Sequence, residues 1–82
     1  MIHHNIQTVA NELNAIAEGI EAGQVWVHAR RFGAIAVGTV ILDRQQEPMK
    51  KVSLTKVVDA QGKRHTYRQL DVVDMVSRVE GR

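Results

Sequence analysis

Four basic side chains stand at two places where the chain reads as turning. Arg30 and Arg31 precede Phe32-Gly33, and Lys63 and Arg64 follow Asp59-Ala60-Gln61-Gly62. Cationic groups in such positions can hold phosphate or carboxylate oxygens, and arginine can also stack on a base. In an antiparallel meander successive hairpins alternate between the two ends of the sheet. The turns at 30–33 and 59–62 are therefore expected at one end, where Arg30, Arg31, Lys63 and Arg64 form a basic rim with Phe32 between them. A second basic group, Arg44, Lys50 and Lys51, is expected on the loop at the other end. Turns are ordinarily charged and solvated, so the rim alone does not name a ligand.

Other chemistry finds less support. Asp71 and Asp74 with His65 nearby have the residue types of an acid/base group, but a carboxylate pair three apart is more often a solvated edge or a partner for Arg68. Ser53 and Ser77 lack the setting of an activated nucleophile, and no glycine loop is built to cradle a phosphate. The chain has no cysteine, which excludes thiolate ligands, thiol nucleophiles and disulfides. Met1-Ile2-His3 offers the four nitrogens of a square-planar Cu(II) or Ni(II) site, a pattern that also arises by chance. His28 and His65 have no spacing of a structural zinc site. No metal and no cofactor are expected. A chain of 82 residues also has little room for a substrate pocket of about 300 Å³ or more. An enzyme is not expected.

Charge is partitioned along the chain. Residues 1–23 hold three glutamates and no Lys or Arg, while residues 24–68 hold nine bases against three acids. The net charge of +2 hides an acidic start and a basic body, a candidate surface for anionic partners. With 44% apolar and 24% charged residues the composition is that of an ordinary globular domain. A domain this short buries only about 60% of its unfolded surface, and such thin cores often gain burial by oligomerising. The run Ala34–Leu42 is far short of the ~20 residues that span a bilayer, and no signal peptide is evident. A cytoplasmic setting is the expectation.

The elements that must position these residues begin with a helix. Ile6, Val9, Leu13, Ile16 and Ile20 recur at spacings of three and four, one apolar stripe of an amphipathic helix over about residues 5–22. Asn5 is its expected N-cap and Gly23 its expected left-handed terminator. The stripe is expected to pack on the chain's own sheet, or else on a second copy. After Gly23 the period changes to two. Val25–Ala29 reads as a strand, Arg30–Gly33 as a tight turn, and Ala34–Asp43 as a second strand bent at Gly38. Arg44–Met49 reads as a loop, Lys51–Val58 as a third strand and Lys63–Gln69 as a fourth. Leu70–Val76 fits a short fifth strand or a helical turn, and the tail over 77–82 is expected to fray.

One helix followed by four or five short strands predicts a single α+β domain over residues 1–82, with a small curled antiparallel sheet or barrel over about 24–76. The order Gly23-x-Val25-x-Val27, a tight turn, Gly38-Thr39-Val40 and Val57-Val58-Asp59-x-x-Gly62 resembles SH3-like and Tudor-like barrels over roughly residues 23–76. That resemblance implies a barrel and carries no functional residue with it, because the aromatic cage of a Tudor reader is not recognisable. The expected function is non-enzymatic binding of a protein partner through the basic rim, through exposed strand edges or by homodimerisation. The alternative is a nucleic-acid-binding module that uses the same rim with Arg44, Lys50 and Lys51. A membrane partner is not expected.

Overall fold

The computed structural model describes residues 6–79. Helix α1 (Ile6–Glu21) is followed by β1 (Val25–Arg31), a 3-10 turn (Phe32–Ala34), β2 (Val40–Leu42), β3 (Pro48–Lys51), β4 (Lys56–Val58), β5 (Arg64–Thr66) and β6 (Val72–Val79). The expectations placed on Met1-Ile2-His3 and on Asn5, and that of fraying over residues 80–82, lie outside the described residues; residues 77–79, expected to fray with them, instead belong to β6, which pairs with β1. Among the described residues no helix is long and apolar enough to cross a membrane.

The α+β class holds: one helix lies on one six-stranded sheet of order β1-β6-β2-β3-β4-β5, antiparallel at every pairing. The sheet is not closed into a barrel, which corrects the barrel expected from the glycine and valine spacing. A larger difference lies in the connectivity. The expected hairpin of β1 with β2 does not form, because the last strand, β6, lies between them and pairs with both. Residues 32–39 therefore form a crossover instead of a tight turn and half a strand. Hairpin rules see only neighbours in sequence, and this pairing joins residues about 50 apart in the chain (Val25 to Val79). In the ambiguous 70–76 segment the strand begins at Val72.

The first stop signal works as read. Gly23 has a φ of 71°. Its N–H bonds the Ile20 carbonyl at 3.1 Å, and the Gln24 N–H bonds the Gly19 carbonyl at 2.8 Å. These two bonds are a Schellman ending, which satisfies carbonyls the helix would leave open. The apolar stripe faces the sheet: Val9, Leu13 and Ile16 are buried with Val40, and Ile20, Val25, Val58 and Val76 pack around them. Each such side chain contributes roughly 1.5–3 kcal/mol when fully buried, which is why this short helix is stable here.

The opposite face holds a second core of Phe32, Ile35, Ile41, Met49, Val57 and Val73. Strand alternation sorts these residues, since Val40 and Ile41, or Val57 and Val58, point to opposite faces. Among the described residues no α-helix covers this side. The crossover does, through Phe32 and Ile35, together with Tyr67, whose ring stacks on Phe32 at 5.1 Å. The Phe32 N–H bonds the Asp71 carbonyl and the Gly33 N–H bonds the Gln69 carbonyl, at 2.7 and 2.8 Å. A Cβ at position 33 would lie 2.8 Å from the Gln69 Cβ, so the close approach of these two loops requires glycine.

Two hairpins share one turn. In Asp43–Glu47 and in Asp59–Lys63 the leading aspartate accepts through Oδ1 from the amides two and four residues on, at 2.8–2.9 Å. The fourth residue adopts positive φ, 65° at Gln46 and 82° at Gly62. That backbone suits glycine and strains glutamine by roughly 1–2 kcal/mol. Gln46→Gly is expected to raise the unfolding free energy by about 0.5–1 kcal/mol, and Gly62→Ala to lower it by about 1 kcal/mol. Urea titration checks both, and equal stability of all three proteins would refute the assignment.

Candidate functional site

The structure redistributes the expected site residues. Phe32, placed at the rim by sequence, is fully buried, because its ring fills the core under the crossover. Lys50 and Lys51, expected on a loop, are on β3 and point to opposite faces. Lys50 Nζ meets Glu12 Oε1 of α1 at 2.7 Å, so it ties the helix to the sheet. Lys51 is 1% exposed. Its Nζ donates to the Phe32 and Ile35 carbonyls at 2.8 and 2.7 Å and stands 4.2 Å from the centre of the Phe32 ring. The ammonium thus caps the 3-10 turn in place of a ligand, while burial pushes its pKa below the usual lysine value.

The remaining bases are exposed but not gathered. Arg30 and Arg31 lie on β1, one edge of the sheet, while Arg64 lies on β5, the other edge, with Lys63 just before it. The pairings put the 43–47 turn, the 59–62 turn and the C-terminal end of β1 at the same end. Arg44 therefore joins the rim end, contrary to the expectation that its loop lies opposite. Between the two basic pairs stand Asp43, Glu47, Asp71 and Asp74. The rim is a row of mixed charge.

A polar depression of about 570 Å³ opens at this end, lined by Asp43, Arg44, Tyr67, Arg68, Asp71 and Asp74 among others. Two of its carboxylates, Asp43 and Asp71, are committed to backbone. Asp43 holds its own turn, and Asp71 accepts from the Arg68 N–H at 2.8 Å. Burial, and then the charges of Asp43 and Asp71, push the Tyr67 phenol up, with Arg44 opposing, so the phenol stays protonated at neutral pH. A second groove of about 590 Å³ runs beside α1, between Val9, Lys50, Val58 and Arg64; both hollows exceed the volume of about 300 Å³ for which a chain this short is expected to have little room.

The acid/base group suggested by His65, Asp71 and Asp74 is not assembled. His65 Nε2 instead meets Asp59 Oδ2 at 2.9 Å, inside the β4–β5 hairpin. Burial raises the Asp59 pKa, but the His65 hydrogen bond and the Lys63 and Gln61 amides outweigh it and hold the carboxyl below its ordinary value. Among the described residues no group of three or more His, Cys, Asp or Glu could hold a metal ion.

Sequence reasoning missed β1 as an edge. Among the described residues its one partner strand is β6, and every residue from Trp26 to Arg31 is exposed, with Trp26 at 44% and Val27 at 41%. Ser77 is an unpaired insertion in β6 opposite Trp26 and Val27, and its hydroxyl donates to the Trp26 carbonyl at 3.1 Å. The alternating Val25-Trp26-Val27-His28 pattern marked a strand, but nothing local marked which strand would lack a second neighbour. Comparison of the chain with protein-family models, with curated proteins and with solved structures finds no match.

The depressed pKa of Asp59 sets a pH dependence. Its carboxylate contributes stability above the unfolded-state pKa of about 3.9, and that contribution is lost as pH falls through the lower folded value. Asp59→Asn is expected to flatten this part of the acid limb. Unfolding free energy measured across the acid range checks it, and parallel limbs for the two proteins would refute it.

Proposed function

We propose that this chain is a non-enzymatic interaction module that binds another polypeptide along the free edge of β1. One observation carries the reading: a seven-residue edge strand whose surface includes the partly exposed Trp26 and Val27. A bare edge is an open row of backbone donors and acceptors, and folded proteins ordinarily shorten or cover it. An added strand satisfies those groups, while exposed side chains select the partner. The other edge, β5, is three residues long and is a poorer template. Arg30 and Arg31 keep the role expected of them as partner contacts, now on the strand itself and apart from Lys63 and Arg64.

The rival nucleic-acid reading loses much of its footprint. Its cluster is divided between two edges with carboxylates in between, Lys51 is enclosed, Lys50 is paired, and Phe32 has no face to offer a base. Nucleic-acid affinity rests on many phosphate contacts and falls steeply with salt. Fluorescence anisotropy with random duplex and single-stranded oligonucleotides at low and moderate salt is expected to show no saturable binding. Sub-micromolar binding that weakens steeply with salt would overturn the proposal.

A further inference from the structure

Resting on that reading, we infer that the polypeptide that adds to β1 is β1 of a second copy, antiparallel about a two-fold axis through His28. Directly opposed residues of an antiparallel pair share a face of the sheet. A two-fold axis relating two such edges stands perpendicular to the sheet and passes beside a single residue. Only three centres, at residues 27 to 29, overlap more than three residues of the strand with its copy.

The centre at His28 alone uses all seven residues, Val25 to Arg31. It sets Val25 against the copy's Arg31, Trp26 against Arg30, Val27 against Ala29 and His28 against itself. The centre at Ala29 pairs only residues 27 to 31 and leaves Val25 and Trp26 outside the contact, and a centre at Arg30 would juxtapose two guanidiniums. The centre at Val27 leaves Arg30 and Arg31 beyond the strand. The charges that ordinarily discourage edge pairing thus meet no like charge in one full-length register.

Each arginine also finds chemistry that suits it. Arg30 arrives beside Trp26, whose indole face attracts a guanidinium. Arg31 arrives on the helix side of the sheet, next to Val25, which packs in the core beneath α1. There α1 ends with Glu18 and Glu21 and no basic residue in its last turn. Acidic side chains at the negative end of the helix dipole are unfavourable without a cation, and the copy's Arg31 supplies one at both symmetric ends. The acidic start and the basic body of the chain then face each other across the axis, and the two sheets become one with both helices on one side. The strand contact falls near or below the standard interface of about 1,200–2,000 Å², so micromolar dissociation is expected.

Sedimentation equilibrium from micromolar to millimolar concentration tests this on the full chain, with circular dichroism melts confirming that each variant folds. A residue that meets itself is intolerant of either sign, so His28→Lys and His28→Glu are each expected to weaken the dimer about threefold to tenfold. Arg31→Glu is expected to weaken it at least as much, and adding Glu21→Arg to that variant to restore it. A dimer unmoved by these substitutions, or a His28 effect of one sign only, overturns the interface. To separate this inference from the module reading, a photo-crosslinking amino acid is placed at position 28 in cells. A monomer at every concentration whose position 28 crosslinks a different polypeptide overturns the second copy and leaves the module. A monomer that crosslinks nothing there overturns both.

Discussion

The ammonium of Lys51 holds the topology in place. For β1 and β2 to stand two places apart, residues 32–39 must cross over one face of the sheet, and this turns the Phe32 and Ile35 carbonyls into an apolar interior. Buried carbonyls without donors are costly, and the turn's own Ile35 N–H answers only that of Phe32, at 3.1 Å. Lys51 reaches both from β3. Its charge rests on the Phe32 ring, which stacks in turn on Tyr67. A single column thus joins β3, the crossover and the link between β5 and β6. A buried ion is expensive unless fully bonded, and here it is retained as a clamp between segments distant in sequence.

That clamp explains why the sheet carries two unlike coverings. One face is closed by a helix whose stripe suffices by itself. The other is closed by irregular chain whose backbone groups must each be answered individually, by Lys51, by the Asp71 and Gln69 carbonyls, and by glycine at the contact of residues 33 and 69. Among the described residues no buried side-chain nitrogen or oxygen lacks a hydrogen-bond partner. The economy of aromatics follows from this arrangement. Phe32 and Tyr67 are used in one stack that seals the irregular side, and Trp26 is left at the edge.

Locally encoded features were legible in the sequence and long-range ones were not. The helix, its glycine ending and the Asp59–Gly62 turn follow from rules that span five residues or fewer. The Asp43–Glu47 turn uses the same chemistry, but glutamine at the left-handed position hid it, so it read as a loop. Val52 and Leu54 suggested one long strand over 51–58, whereas the chain turns there and leaves both exposed. The basic rim failed as a cluster for a single reason. It assumed that strands neighbouring in sequence pair, and the insertion of β6 moved Arg30 and Arg31 to one edge and left Arg64 on the other. Burial of Lys51 could not be foreseen, since a lysine in a polar stretch reads as solvent-facing until its two carbonyl partners are known.

The central place of β6 has a consequence for how the chain comes into being. Synthesis delivers segments from the N-terminus onward, and the strand that joins β1 to β2 is the last of the six to appear. Until then β1 has no partner on either side, and the gap meant for β6 is open to any extended segment of fitting pattern. Closure must await pairings between distant residues, which slows folding in general. The nascent chain therefore passes through an interval with a vacant strand slot, in which the same stickiness that suits β1 to recognition also invites exchange of strands between newly made copies.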